Sequence, residues 1–256
     1  MSRVSTSRRP TISACVIARN EADELAECLA GLTWADEIVV VDDESTDGTV
    51  KVAERFTPRV LVRAKRDDFA AQRNFALDAA VGEWVLFVDA DERVTDALRE
   101  EILTAVRAPG VEGYFVRRQD INFGYVFRYG ESMRAPLLRL ARRGAGRFEG
   151  RVHEIWRVGG ATRILRSPLL HYSHADVSAF VRKVDYQSSL AATRLAEEGR
   201  GAHAWELVVH PLGNFFRNYV VHQGFRDGVP GLIYAALMAL HPFLARAKRW
   251  ERSRRP

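Results

Sequence analysis

The amino-acid sequence predicts an α/β fold in which helices flank a mostly parallel sheet, followed by a helical C-terminal appendage. In the first half of the 256 residues, apolar β-branched runs alternate with amphipathic segments across short connections, the pattern of a parallel sheet. From Asp176 onward, apolar residues recur at helical spacing instead. We therefore divide the chain into a flexible tail, an α/β domain and a helical region, at residues 1–10, 11–175 and 176–256.

The elements of the first half follow from their patterning and their caps. Four apolar runs predict buried strands at residues 11–18, 37–45, 59–63 and 83–90. Amphipathic spacing predicts helices at residues 22–32, 45–56, 67–82 and 95–106. Thr95 or Asp96 is available to cap the fourth helix. After Pro109 the pattern changes to short strands and loops, which predicts a mixed-sheet extension.

Polar clusters follow three of the predicted strands, at the point where each strand ends. They are "ARNE", "DDES" and "DADE", at residues 18–21, 42–45 and 89–92. Ligands of open α/β sheets bind outside the carboxyl ends of the strands, so we expect the three clusters to form one site. The sequence has no GxGxxG after the first strand and no GxxxxGK[ST], which argues against a dinucleotide-binding site and a P-loop.

Asp89 and Asp91 place two carboxylates around one small residue at the end of the fourth strand. Carboxylates this close repel each other unless something positive lies between them. Hard oxygen ligands without cysteine suit Mg²⁺ or Mn²⁺, so the pair predicts a divalent metal site. The alternative is a solvated loop with an Asp helix cap.

Several segments, taken together and in order, resemble the inverting family-two glycosyltransferases of the GT-A fold. They are "CVIARNEADELAECLAGL", "VVVDDESTDGTVKVAE" and "AAQRNFALDAAVGEWVLFVDADE", and the match covers residues 11–120. The later "GRVHEIW", "HYSHADVSAFVRKVDYQS" and "GFRDGVPGLIYAALMA" are similar to bacterial lipopolysaccharide-core β-1,4-glucosyltransferases. The resemblance implies a Rossmann-like GT-A sheet, a divalent metal, and sugar transfer from a nucleotide-sugar donor, with a UDP-sugar the first candidate.

The resemblance also implies roles for residues at the three strand ends. Asn20 and Glu21 would hold the base and ribose of the donor, and Ala18 belongs to the same nucleotide-sugar-binding segment. Asp43 would accept a hydrogen bond from the nucleobase. Arg73 would pair with the donor phosphate or base, as a guanidinium does with two parallel hydrogen bonds. Asp89 would contact ribose or metal; the metal ligands would be Asp89, Asp91 and His153.

Inverting transfer to a hydroxyl needs a base that takes the acceptor proton during attack. In "RVHEIW" we expect Glu154 to be this catalytic base, because its apolar neighbours would partly desolvate the carboxylate. His153, His171 and His174 compete with it as base or as a third metal ligand. The family commonly places the base in an acidic pair before a helix, whereas this sequence has "HE".

The C-terminal sequence predicts contact with a membrane. Residues 229–245 are apolar but contain Pro230, His241 and Pro242, so we expect an interfacial anchor rather than a spanning helix. A basic cluster follows and would attract anionic lipid: Arg246, Lys248, Arg249, Arg252, Arg254 and Arg255. The alternative is a core helix with a solvated basic end.

Composition limits the other classes of function. The net charge of +5 and the pI of about 9.5 suit phosphates, anionic lipid or nucleic acid. The basic residues are dispersed or lie at the tail, and no RNA-binding or zinc motif is present, so we expect no nucleic-acid partner. Cys15 and Cys28 lie in apolar segments and predict reduced core residues. The absence of a signal-like apolar run predicts a cytoplasmic protein, peripheral on the inner face of the membrane.

The sequence thus predicts a metal-dependent inverting transferase that moves a sugar from a nucleotide diphosphate to a hydroxyl. The acceptor would be a membrane glycolipid or a cell-envelope polysaccharide precursor. One rival is transfer to a polyprenyl phosphate, which is already an anion and needs no strong base. A more remote rival is a basic nucleic-acid-binding protein, whose binding would depend steeply on salt.

Overall fold

The structure is a computed structural model, and it describes residues 8–66, 68–130, 136–150, 154–198 and 203–254. The strands are β1 Ile12–Ala18, β2 Glu37–Asp42, β3 Val60–Val62, β4 Trp84–Asp89, β5 Glu92–Arg93, β6 Gly113–Val116, β7 Arg118–Asn122, β8 Tyr125–Val126, β9 Leu137–Arg142, β10 Gly146–Glu149, β11 Ile155–Val158, β12 Thr162–Ile164 and β13 Leu169–His174. The helices are α1 Ala22–Ala30, α2 Thr49–Ala53, α3 Phe69–Ala79, α4 Asp96–Ala105, α5 Val177–Glu197, α6 Glu206–Phe216 and α7 Gly228–Arg252. These elements form two compact units.

The first unit comprises the described residues within Met1–Arg118 and Ala135–His171. Its seven-stranded sheet has the order β12-β6-β9-β4-β1-β2-β3. Strands β4, β1, β2 and β3 run parallel to one another, and β9 is antiparallel to both β4 and β6. The predicted α/β fold, with its mostly parallel sheet and mixed extension, is therefore confirmed.

The core of this unit lies on both faces of the sheet, because successive strand residues point to opposite sides. On one face, the alternate residues of β1 and β4 pack against α1 and α4, through side chains such as Leu25, Leu29 and Leu98. On the other face, Cys15 and Phe87 belong to a cluster with α3 and the β10–β11 hairpin. Cys15 and Cys28 are free and buried, as predicted, and burial raises the pKa of both thiols.

Local hydrogen bonds fix where the helices of the first unit begin. The Thr95 hydroxyl accepts a hydrogen bond from the Leu98 N–H at 3.1 Å, which caps α4 as one of the two predicted caps. The Asp68 carboxylate caps α3 by accepting from the Ala71 N–H at 2.8 Å. The helix α2 is shorter than predicted, because Asp42 accepts from the Ser45 N–H and holds the preceding residues in a turn.

The second unit comprises the described residues within Gln119–Arg134 and Tyr172–Pro256. Its small core contains Phe127, which follows the β7–β8 hairpin, Phe180 and Val184 of α5, and Tyr234 of α7. The helix α6 packs against α7. A π-helical turn, Arg217–Val221, and a 3₁₀ turn, Gly224–Asp227, connect α6 to α7.

The C-terminal helix differs from its prediction. α7 runs without a break through both Pro242 and His241, although we expected these residues to interrupt the segment. Pro230 lies in the first turn of α7, where no intrahelical N–H bond is lost. Within the described residues, one helix, Gly224–Arg252, is long and apolar enough to cross a membrane, with a mean hydropathy of 1.5 and 28% of its most apolar window buried. Length and composition alone do not distinguish a spanning helix from a core helix.

Candidate active site

A pocket of about 460 Å³ opens at the carboxyl ends of β1 and β4 in the first unit. Its volume lies in the range of small-molecule sites in proteins. The lining brings together most of the residues that the sequence singled out, with three apolar residues and one histidine: Ile17, Glu21, Phe69, Arg73, Asp89, Ala90, Asp91, Glu154 and His171. Glu21 comes from the polar cluster after β1, and Asp89 and Asp91 come from the cluster at the end of β4. Two of the three predicted clusters therefore contribute to one pocket.

Asp89, at the end of β4, is held between two guanidinium groups. Arg73 Nη2 donates to Asp89 Oδ1 at 2.9 Å, and Arg139 Nη2 donates to Oδ2 at 2.7 Å. Burial by itself would raise the pKa of Asp89, but the two arginines outweigh burial and hold that pKa well below its usual range. Two arginine side chains thus supply positive charge beside Asp89.

Glu92 and Arg139 form a buried ion pair directly behind Asp89. Arg139 Nη2 donates to Glu92 Oε1 at 2.7 Å, and the Asp89 N–H donates to Glu92 Oε2 at 2.9 Å. Burial raises the pKa of Glu92 to about 7, against the opposing effect of Arg139, and the neighbouring Asp89 adds to the rise. The carboxylates of Asp89 and Glu92 in turn raise the pKa of Arg139 above its ordinary value, against its desolvation. The pair fixes the Asp89 backbone and one of its oxygens.

Arg73 links two carboxylates across the pocket. Its Nε donates to Glu154 Oε1 at 2.6 Å, while its Nη2 contacts Asp89. The guanidinium carbon also lies 5.6 Å from the ring centres of both Phe87 and Phe148. Burial opposes the charge on Arg73, but Asp89 and Glu154 outweigh it and raise its pKa. Arg73 is therefore a charged, oriented donor, although its observed partners are protein carboxylates.

Glu154 directly precedes β11, and the hairpin β10–β11 positions it against α3. Asn74, next to Arg73 on α3, bonds both the N–H and the carbonyl of Phe148, which ties the hairpin to the helix. These contacts bring Glu154 from the second half of the chain to the pocket, as the sequence predicted. Its role as the base remains a prediction.

Asp91 and His171 meet on the pocket wall. His171 Nε2 lies 3.2 Å from Asp91 Oδ2, and the pairing of β13 with β5 places the histidine there. One carboxylate and one imidazole fit a divalent ion that takes its other ligands from a diphosphate and water. Within the described ranges, no three His, Cys, Asp or Glu residues are arranged as a metal site. The ligand role predicted for Asp89 remains untested; both of its oxygens accept from arginine.

A second polar cluster lies at the ends of β1 and β2. Asp43 is buried, and its carboxylate accepts from the Lys65 N–H at 2.6 Å and from Arg19 Nη1 at 3.1 Å. The Asp43 N–H donates to the carbonyl of Ala18 at 2.9 Å, which joins the two strand ends. Asn20 has a positive φ of 54° and accepts from the Thr46 N–H at 2.8 Å. Glu21 lines the pocket described above, whereas Ala18, Asn20 and Asp43 are not among its lining residues.

Some functional candidates lie elsewhere or were missed. His153 lies outside the described residues, so its predicted ligand role is not addressed. His174 belongs to the second unit, where its ring packs against Phe180 with centres 4.1 Å apart. The sequence did not indicate Arg139, although an arginine within the apolar strand "LLRLAR" is a signal of a buried ion pair.

The fold and the charged pocket at the carboxyl edge of its sheet define a ligand-binding α/β enzyme. The family model described as "Glycosyl transferase family 2" matches residues 13–171, more than half of the chain. The chain belongs to glycosyl transferase family 2, and the prediction of a family-two glycosyltransferase is confirmed.

Curated proteins and solved structures include similar chains. "Lipopolysaccharide core biosynthesis glycosyltransferase LpsC" of Rhizobium meliloti is 32% identical over 94% of this chain and 92% of its own length. An uncharacterized glycosyltransferase of Rickettsia felis is 27% identical over 93% of this chain and 88% of its own. The mannosyltransferase PcManGT of Pyrobaculum calidifontis, solved with GDP-Man and Mn²⁺, is 18% identical, with a TM-score of 0.49 over 96% of this chain and 76% of that one. TarS 1–349 of S. aureus, solved with UDP, is 18% identical, with a TM-score of 0.47 over 94% and 88%.

Proposed function

We propose that the chain is a metal-dependent inverting glycosyltransferase that moves a sugar from a nucleotide-diphosphate donor onto a hydroxyl. The observation that carries this proposal is the pocket in which Arg73 lies between Asp89 and Glu154, with Asp91 and His171 on the same wall. A buried cation, the two carboxylates that it contacts and an open volume suit a diphosphate and a polar acceptor. Membership of glycosyl transferase family 2 supports the same class of reaction.

The residues divide into donor-binding and acceptor-activating roles. Asp43, Asn20 and Glu21 would orient the nucleoside at the ends of β1 and β2. Arg73 would offer hydrogen bonds to the diphosphate. Asp91 and His171 would hold Mg²⁺ or Mn²⁺, which when bound offsets the charge that develops on the leaving diphosphate.

Glu154 would act on the acceptor. As the acceptor oxygen forms its bond to the anomeric carbon, the bond to the diphosphate breaks, and the acceptor proton passes to Glu154. Attack from the face opposite the leaving group inverts the anomeric configuration. A positioned base typically contributes a hundred- to ten-thousand-fold in rate.

For the acceptor we propose a membrane glycolipid or another cell-envelope polysaccharide precursor. The support is the relative whose name assigns it to lipopolysaccharide core biosynthesis, which matches 94% of this chain at 32% identity. Exposed apolar side chains in the second unit, including Val229 and Phe243 of α7, agree with an enzyme that works on the inner face of a membrane.

One observation favours a second candidate, transfer to a polyprenyl phosphate. Glu154 Oε1 accepts a hydrogen bond from Arg73, so one carboxylate oxygen is already engaged. A phosphate acceptor is already an anion and requires no base. Turnover that survives loss of the Glu154 carboxylate would therefore favour this second reaction.

A donor screen tests the proposed function. The thermal stability of the protein is measured with UDP-, GDP- and dTDP-sugars, each with and without Mn²⁺, and the best donor is then tested for release of its nucleoside diphosphate. We expect one donor class to raise the melting temperature, and more so with Mn²⁺, because a ligand that binds only the native state stabilises it. Absence of a shift with every donor would contradict the proposal.

A further inference from the structure

One helix of the second unit presents an apolar stripe to solvent. The residues Trp205, Val208, Val209, Leu212 and Phe216 recur at helical spacing, and all five are exposed. We call these five residues the α6 stripe. Although α6 contacts α7, no residue of α6 itself is buried. A stripe of large apolar side chains that covers no core indicates a surface for another partner.

Further exposed apolar side chains follow α6 in the chain. Val220 and Val221 of the π-helical turn are exposed, as are Phe225 in the 3₁₀ turn and Val229 at the start of α7. Trp205 also stacks on His203 and His210, with ring centres 6.5 and 6.0 Å apart. Tryptophan with a polar ring neighbour is typical of the boundary between lipid and water.

Exposed cations lie beside the α6 stripe. Arg217 and Arg226 are exposed, Glu206 lies in the first turn of α6, and between residues 207 and 250 the sequence contains a single acid, Asp227. Asp227 is buried, and its carboxylate accepts from the backbone N–H groups of Arg128 and Tyr129. The surface therefore offers cations beside apolar side chains, and this combination suits an anionic bilayer.

The basic cluster of the C-terminal tail is less available than its sequence indicates. Lys248 Nζ donates to Asp185 Oδ1 at 2.7 Å and to the hydroxyls of Ser188 and Ser189, all on α5. Arg252 Nη1 donates to Thr193 at 2.8 Å. These two cations hold α7 against α5, so the tail is in part a packing element.

We propose that the α6 stripe inserts into the headgroup region of an anionic bilayer, with Arg217 and Arg226 contacting lipid phosphates. A second copy of the chain is the other occupant that an apolar stripe admits, and the test below treats it as a separate outcome. This proposal rests on the membrane association given under the proposed function and adds a specific contact surface to it. It places the contact on α6 rather than on the basic tail.

The test compares two leucines of the same unit in the full-length protein. Leu212 of the α6 stripe is 62% exposed, and Leu190 of α5 is 53% exposed, so Leu212→Asp and Leu190→Asp should both fold with unchanged melting temperature. Binding is measured by flotation with phosphatidylcholine vesicles that contain or lack phosphatidylglycerol. We expect Leu212→Asp to weaken binding to the anionic vesicles by at least about tenfold, the loss expected for one leucine that no longer leaves water. Leu190→Asp should bind as the wild type does.

Further measurements distinguish insertion into a bilayer from the alternative explanations. Arg217→Glu should lower binding to anionic vesicles and leave the weak binding to neutral ones unchanged. Equal losses in both leucine variants, or wild-type binding by Leu212→Asp, would overturn the proposal. It would also be overturned if the wild type were a dimer in light scattering and Leu212→Asp a monomer. Nucleotide binding by the same samples tests the proposed function separately, since vesicle binding without nucleotide binding would refute only the catalytic proposal.

Discussion

The two units each contain a region that departs from the usual separation of polar and apolar residues, in opposite directions. In the first unit, Asp89, Glu92, Arg73 and Arg139 place charged groups among buried strands. In the second unit, the α6 stripe places large apolar groups in water. Buried charges and exposed apolar patches are the two kinds of feature that fold stability alone does not explain.

The difference lies in how each region is compensated. Every carboxylate oxygen of Asp89 and Glu92 accepts a hydrogen bond, from Arg73, from Arg139 or from the Asp89 N–H. The apolar side chains of α6 are not covered by the protein in a comparable way, because none of the residues of α6 is buried. The protein itself thus supplies the partners of the buried carboxylates, and we propose a small ligand for the pocket that Asp89 lines and a lipid bilayer for the α6 stripe.

The largest effect on stability is expected where the buried charges lose their partner. Arg139→Met leaves Asp89 and Glu92 buried without their shared cation, which should lower the free energy of unfolding by about 3–5 kcal/mol. Arg147→Met is the matched control, because Arg147 pairs with Asp78 at the surface, with side chains 53% and 59% exposed. An exposed pair contributes about 0–1 kcal/mol. Denaturant unfolding measures both variants, and similar losses would contradict the distinction.

The next effect concerns rate rather than stability. Glu154→Gln keeps the side-chain shape but accepts no proton, so transfer to a hydroxyl should slow at least about a hundredfold, or about 2.7 kcal/mol of barrier. Glu149→Gln on the neighbouring strand is the control, since Glu149 bonds only the exposed Arg157 among the contacts described. Single-turnover kinetics with saturating donor and acceptor measures both. A Glu154→Gln rate within threefold of wild type would assign the base elsewhere, or favour the phosphate acceptor.

A smaller effect should appear in the pH dependence of stability. Burial raises the pKa of Glu92 to about 7 in the folded protein, so the folded state keeps a proton that the unfolded chain releases. This contribution to stability is fully present below the unfolded pKa of about 4.3 and is lost as the pH rises through the folded value. Glu92→Gln removes it, so wild type should lose unfolding free energy relative to the variant between about pH 4.5 and 8. If the difference in unfolding free energy between wild type and Glu92→Gln did not change with pH, the raised pKa of Glu92 would be refuted.

The smallest effect on stability is expected on the α6 stripe. Leu212→Ser should change the free energy of unfolding by less than about 0.5 kcal/mol, because the side chain is already exposed in the folded protein. Phe180→Ala in the core of the same unit should cost about 3–5 kcal/mol. Thermal and denaturant unfolding of the two variants provide the comparison. A large loss in Leu212→Ser would show that the stripe supports the fold.

Local patterning was enough to predict the first unit. The apolar runs of β1, β2 and β4 and the Thr95 cap are encoded within short segments, and each strand end carries its polar cluster with it. The meeting of Asp89, Asp91 and Glu21 followed because parallel strands share an edge. Arg139 was not predicted as a site residue. Its partners Asp89 and Glu92 lie 50 and 47 residues away in the chain, and spacing within one strand does not reveal such distant partners.

The second unit was less predictable for a related reason. The sequence indicated its helices, but not that residues 119–130 pack with them or that Phe127 joins their core. Pro242 was expected to interrupt the apolar segment, yet α7 continues through it, since tertiary packing overrides local propensity. The exposure of α6 was not predicted either, because periodicity shows that a face is apolar without showing whether anything covers it.

The central claim is that the carboxyl edge of the first sheet binds a nucleoside diphosphate with a metal at Asp91. Calorimetry with the best nucleoside diphosphate, with and without Mn²⁺, tests it on wild type, Asp43→Ala and Asp91→Asn. Asp43→Ala should weaken binding by about 1–3 kcal/mol in both conditions, the loss of one charge-assisted hydrogen bond. Asp91→Asn should weaken binding only when Mn²⁺ is present. Wild-type affinity and wild-type Mn²⁺ dependence in both variants would contradict the account.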